Sequence, residues 1–96
     1  MITIKANLHL YRGKRETPFT NGYRPTFDFG MESLTSGRIR LLGDKENVFP
    51  GEIATVEIDF LFKEFLGKKF KVGEIVFFTE GLIVVGEIEI LDIISE

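Results

Sequence analysis

Residues 17–29 read TPFTNGYRPTFDF and form the most specific pattern in the chain. An Asn-Gly pair, which is a turn signal, divides the stretch. From Tyr23 to Phe29 every second residue is Tyr, Pro or Phe, and the residues between them are polar. This period of two predicts a β-strand with one buried face. Pro25 has no backbone N–H, which predicts that it lies at the start or the edge of the strand.

Two further segments alternate in the same way. Residues 2–10 have Ile, Ala or Leu at every second position, which predicts a strand with one buried face. The chain's one histidine, His9, lies on the predicted solvent-exposed face. Residues 54–62 predict another long strand, although residues 58–66 also fit a helical stripe that Gly67 would end. We favour the strand because β-branched residues, which prefer strands, are frequent in its first half. We expect one helical turn near Phe65.

The remaining segments complete an all-β pattern. Residues 38–41, Arg-Ile-Arg-Leu, predict a short third strand, and Pro50-Gly51 has the composition of a type II turn. Residues 75–79 and 82–85 are apolar runs joined at Glu80-Gly81, which predicts a tight hairpin whose second strand continues to residue 94. About six strands in 96 residues predict a single domain, residues 1–96, folded as a small closed or nearly closed antiparallel β-barrel.

Composition narrows the possible functions. The chain contains no Cys, and its formal net charge of −3 argues against broad nucleic-acid binding. No apolar run reaches the length of a membrane span, so we expect a cytoplasmic protein without membrane attachment. The chain has no phosphate-binding loop motif and no metal-ligand spacing. We therefore expect no enzyme activity, no cofactor, no metal and no small-molecule substrate.

The stretch 17–29 resembles the Thr-Pro-Phe and Gly-Tyr-Arg-Pro signature of the C-terminal barrel, domain 3, of elongation factor Tu. Three later features resemble that family in the same order: Thr35-Ser36-Gly37 before a strand, the turn 49–52, and the last hairpin. The likeness covers nearly the whole chain, but the GTPase domain and the second barrel have no counterpart. The signature residues, which we expect to be structural, are Thr17, Pro18, Phe19, Gly22, Tyr23, Arg24, Pro25, Pro50 and Gly51. We expect Arg24 to be held by a local carboxylate or by carbonyls.

The resemblance also implies a function. In the family this barrel contacts the T stem of aminoacyl-tRNA, packs on the GTPase domain and receives the nucleotide-exchange partner. Arginine and threonine at such positions would meet phosphate and 2′-hydroxyl groups. Thr79 and Ile83 replace family arginines, which weakens the implied contact with tRNA. The positions that match the family's tRNA-facing residues are Arg15, Glu16, Thr26, Thr35, Glu80 and Gly81.

The last hairpin suggests a second surface. Its two strands are apolar at successive positions, although only one face of a strand can point into a barrel. The outer face must therefore be covered by the chain's own Phe65-Leu66 loop or serve as a protein interface. We assign that interface to Val76, Phe78, Ile83 and Val85. The expected function is a non-catalytic protein-interaction domain that binds a protein partner or self-associates. The alternative is a translation-associated module that contacts tRNA or an elongation-factor partner.

Overall fold

The computed structural model describes residues 1–96 and contains a closed antiparallel barrel of six strands, which confirms the predicted fold class. Two short 3-10 segments, Lys63–Phe65 and Gly67–Lys69, lie between the sixth and seventh strands. Neither has the length and hydropathy that a membrane-spanning helix requires. Around the barrel the strand order is β1-β6-β4-β3-β7-β8, while β2 and β5 form a separate pair. The strands are β1 Ile2–Leu10, β2 Phe19–Thr20, β3 Thr26–Asp28, β4 Thr35–Leu41, β5 Asn47–Val48, β6 Ile53–Phe60, β7 Ile75–Glu80 and β8 Ile83–Ser95.

The barrel interior is filled by the apolar residues of the alternating strands. In the β1–β6 pair, Ile4 lies opposite Ile58 and Ala6 opposite Val56, and all four side chains are buried. Side chains at directly opposite positions share one face, so the matching periods of the two strands produce one continuous apolar wall. Twenty buried apolar residues form a single core cluster.

Phenylalanine rings make up the bulk of one side of the core. Phe27 of β3 lies edge-on to Phe60 of β6, with 5.2 Å between ring centroids. Gly37 of β4 faces these rings, and a Cβ atom there would overlap both of them. The absence of a side chain at residue 37 therefore allows two large rings to pack inside a narrow barrel.

The segment that follows β6 resolves the choice between strand and helix. The strand prediction is confirmed up to Phe60, after which the chain leaves the sheet. A 3-10 turn at Lys63–Phe65 confirms the expected helical turn near Phe65. Leu66 is fully buried in the core cluster, and Phe70 of the same loop packs against that cluster.

The predicted turn at Pro50-Gly51 is confirmed. The Glu52 N–H donates to the Phe49 carbonyl at 3.0 Å, and Gly51 has a φ of 92°, as the second central position of a type II turn requires. The regular strand is shorter than predicted and spans Thr26–Asp28, because Pro25 has no N–H to donate, although the Tyr23 and Pro25 carbonyls still accept hydrogen bonds from β4. The β2–β5 pair has only two residues on each side, and sequence alternation did not predict it.

Candidate functional site

The β7–β8 hairpin carries the four residues assigned to a protein interface, and the structure divides them. Val76, Phe78 and Val85 are buried in the barrel core, so their assignment to an outer surface is wrong. Only Ile83 is exposed. The physical reason is strand geometry: successive side chains point to opposite faces, and Val76 and Phe78 lie on the inward face of β7.

The hairpin nevertheless exposes apolar side chains, on the outer face of its strands and, at Ile83, beside the turn. Ile75 and Phe77 of β7, with Ile83 and Val84 of β8, are between 37% and 58% exposed. Leu82, in the turn, is almost completely exposed. We call these five residues the hairpin patch. Apolar residues gathered in this way on a soluble surface mark an interaction site more often than residues scattered singly do.

Carboxylates border the hairpin patch. In the strand register Phe77 lies between Asp28 of β3 and Glu87 of β8, and Ile75 lies opposite Glu89. The Tyr11 hydroxyl donates a hydrogen bond of 2.6 Å to Glu87. Burial, together with this hydrogen bond and the negative charge of Glu87, raises the pKa of Tyr11 to about 12. The patch is thus an apolar strip with an acidic border.

The loop after β6 does not cover the hairpin patch. Leu66 points into the core, and Phe65 lies edge-on to Phe62, with 5.8 Å between ring centroids. Ile75 and Phe77 stay exposed in the presence of this loop. The alternative in which Phe65-Leu66 folds over the outer face of the hairpin is therefore wrong.

A polar cluster lies at the turn end of the hairpin. Glu80 accepts hydrogen bonds from the Arg15 guanidinium and from the Tyr23 hydroxyl. The guanidinium carbon of Arg15 also lies 4.9 Å from the centre of the Tyr23 ring. Burial, followed by the hydrogen bond to Glu80, raises the pKa of Tyr23 well above its ordinary value, which keeps the hydroxyl protonated as a donor.

This cluster explains how the chain from residue 15 to residue 19 is held. Arg15 donates to the carbonyls of Thr17 at 2.9 Å and of Pro18 at 3.2 Å. Phe19 stacks on Tyr23 with 4.5 Å between centroids, and its side chain is buried. Thr17, Pro18, Phe19 and Tyr23 of the signature therefore help to attach the β1–β2 connection to the hairpin, which is a structural role.

The six residues matched to tRNA-facing positions do not form one surface. Glu80 is bonded to Arg15, and the Thr26 hydroxyl lies 2.6 Å from the Thr79 hydroxyl, so these groups gather at the hairpin. Thr35 pairs with Phe27, on the opposite face of the sheet from Thr26. The remaining two positions, Glu16 and Gly81, are exposed in the loops near the cluster.

Arg24 departs from the expected structural role. It makes none of the arginine hydrogen bonds or ion pairs in the structure, which involve Arg15 and Arg40. Its side chain is exposed on the outer face of the barrel. The expectation that a carboxylate or carbonyl holds Arg24 is therefore wrong.

A second ion-pair network lies on the outer face of β4, β6 and β1. Arg40 donates to both carboxylate oxygens of Asp59, at 2.8 and 3.0 Å, and pairs with Glu57 at 3.0 Å. The Thr3 hydroxyl donates to Asp59 at 2.8 Å. The hydrogen bonds from Arg40 are the main cause that lowers the pKa of Asp59, and they raise the pKa of Arg40.

No known protein-family model matches the chain. The resemblance to domain 3 of elongation factor Tu therefore stays a prediction. The structure also contains no group of three or more His, Cys, Asp or Glu side chains arranged to hold a metal ion.

Proposed function

We propose that this chain is a non-catalytic protein-binding module that docks another protein through the hairpin patch. The observation that carries the proposal is the exposure of Phe77 and its apolar neighbours on a barrel whose core is already complete. These residues add nothing to the interior of the barrel. Aromatic side chains, Phe among them, are enriched at protein interfaces relative to the rest of the surface.

The acidic border favours a distinct partner over a second copy of this chain. A two-fold interface brings the same surface of two molecules together. Such a dimer would place Asp28, Glu87 and Glu89 of one copy close to the same carboxylates of the other. Opposed like charges disfavour association, whereas basic residues around an apolar ridge would complement this border. We therefore propose a partner whose apolar contact residues are flanked by Lys or Arg.

The test is retention of proteins from an extract of the cells that express this chain, at low and at high salt. We expect a protein partner that stays bound at high salt, because burial of apolar surface is not screened. The Phe77→Lys variant should weaken its retention about tenfold or more. Leu61→Lys changes an exposed apolar residue outside the patch and should retain the partner. Equal retention by wild type and Phe77→Lys would refute docking through the patch.

Sedimentation of the purified chain tests the choice between partner and self-association. We expect a monomer with a mass close to 10.9 kDa, at low and at high salt. A dimer that Ile83→Lys converts to monomer would show that the patch binds a second copy, and would overturn the proposal of a distinct basic partner.

A translation-associated module is the second candidate. The observation that favours it is the gathering of Arg15, Thr26 and Glu80 at one end of the barrel. The existing bond between Arg15 and Glu80 leaves fewer guanidinium donors for phosphate. If the extract yields tRNA or an elongation factor that leaves at high salt, and Arg15→Gln abolishes that retention, this candidate replaces the first.

A further inference from the structure

Two arginines lie directly opposite each other on the outer face of the barrel. The Gly37 N–H donates to the Pro25 carbonyl at 3.2 Å, and the Ile39 N–H donates to the Tyr23 carbonyl at 2.8 Å. Between these two bonds the antiparallel register pairs Arg24 with Arg38. Such non-hydrogen-bonded pairs bring side chains closest together, and opposed like charges destabilise a sheet.

Neither arginine is compensated by a bonded carboxylate. Arg38 lies opposite Asp59 in the register of β4 and β6. Asp59, however, accepts its hydrogen bonds from Arg40 and from Thr3. Arg40 also forms an ion pair with Glu57. Asp59 therefore attracts Arg38 through its charge but is hydrogen-bonded to a different arginine. An acidic chain thus carries two exposed, unpaired guanidinium groups at neighbouring positions.

The pair lines a small cleft of about 80 Å³. Ser36 contributes a hydroxyl group to this cleft, and Met1 and Leu61 form its apolar walls. Pockets for drug-sized ligands measure about 300–1,000 Å³, so this cleft suits one small anion. The Asp59 carboxylate also lines the cleft and competes with any bound anion for the guanidinium groups. An anion with more than one negative charge competes with it better than a monovalent anion does.

We propose that Arg24 and Arg38, with the Ser36 hydroxyl, bind one phosphate monoester group. Such a group carries a charge of about −1.5 to −2 at pH 7 and has three acceptor oxygens. Two guanidinium groups match that charge and can each donate two parallel hydrogen bonds. Binding would also relieve the repulsion between the two arginines. A nucleic-acid backbone fits less well, because the site offers two cations on a chain of net charge −3.

The test is a titration followed by backbone amide resonances, with the ¹⁵N-labelled chain at constant ionic strength. The probes are inorganic phosphate, a phosphoserine peptide with its unphosphorylated form, a nucleoside monophosphate and a short single-stranded RNA. We expect saturable shifts at residues 24 and 36–38 with the phosphate monoesters, and none with sodium chloride alone. The probe that binds most tightly identifies the source of the phosphate group, whether a phosphorylated side chain, a nucleotide or free phosphate.

Matched variants make the result specific. Arg24→Gln and Arg38→Gln should each weaken phosphate binding about tenfold, because each removes one charge-assisted pair of hydrogen bonds. Arg12 is also unpaired, but no other arginine lies opposite it. The Arg12→Gln variant should therefore bind phosphate as tightly as wild type does. All three positions are exposed, and the amide spectra report whether each variant folds. Unchanged affinity in Arg24→Gln and Arg38→Gln would overturn the site, as would RNA binding that exceeds every monoester.

Discussion

Replacing Phe78 or its neighbour Phe77 by alanine separates the two faces of the hairpin. The two residues are adjacent and identical in type, but Phe78 is fully buried whereas Phe77 is 43% exposed. The Phe78 ring lies 5.9 Å from that of Phe27 and fills the space that Gly86 leaves empty. Truncation at residue 78 would therefore open a cavity inside a closed barrel, and truncation at residue 77 would shorten a surface side chain.

The expected magnitudes differ severalfold. Phe78→Ala should lower the free energy of unfolding by about 3–5 kcal/mol. This cost combines the loss of buried apolar surface with the cavity that remains, because the strands of a closed barrel cannot easily move together to fill it. Stabilities of small domains are about 5–15 kcal/mol, so the variant would lie near the limit of folding. At about 4–8 °C per kcal/mol, the melting temperature should fall by at least about 12 °C. Phe77→Ala should change the free energy of unfolding by about 1 kcal/mol or less.

The assay is urea denaturation of wild type and both variants, followed by circular dichroism. Equal m-values for the three proteins would show that each exposes the same amount of surface on unfolding. Differences between their urea midpoints would then report differences in stability. A larger loss for Phe77→Ala than for Phe78→Ala would refute the reasoning, because it would mean that β7 is shifted by one residue.

Two further predictions concern the packing and the charges of the barrel. Gly86→Ala should destabilise by about 1–3 kcal/mol in the same denaturation assay, because a Cβ atom would overlap Phe78 and the His9 carbonyl; an unchanged denaturation midpoint would contradict this. Asp59→Asn should cost about 1–2 kcal/mol at pH 7, since Arg40 is partly exposed. The lowered pKa of Asp59 means that this stabilisation is present above the ordinary Asp pKa of 3.8 and is lost as pH falls through the folded value. A difference between wild type and Asp59→Asn that stays constant from pH 7 to strongly acidic pH would exclude the ion pair as its cause.

Most of the barrel could be predicted where alternation or turn chemistry was clear. Residues 2–10 and 54–60 alternate strictly, and both lie in strands with the predicted face buried. The Pro50-Gly51 turn depends on residues that are adjacent in sequence, and it formed as expected. Sites were less predictable: the hairpin has no alternation, so the sequence did not show which of its two apolar faces points inward.

The sequence by itself determined the all-β class, the approximate number of strands and the positions of the main turns, because these depend on periodicities and residue types within a few positions. Tertiary structure decided which side of β7 is exposed, that Arg15 bonds Glu80, and that Arg24 faces Arg38. Each of these results depends on the register between segments that are distant in sequence. A register is chosen by the packing of the whole core and by the bulge between Phe78 and Thr79, and no local pattern specifies either of them.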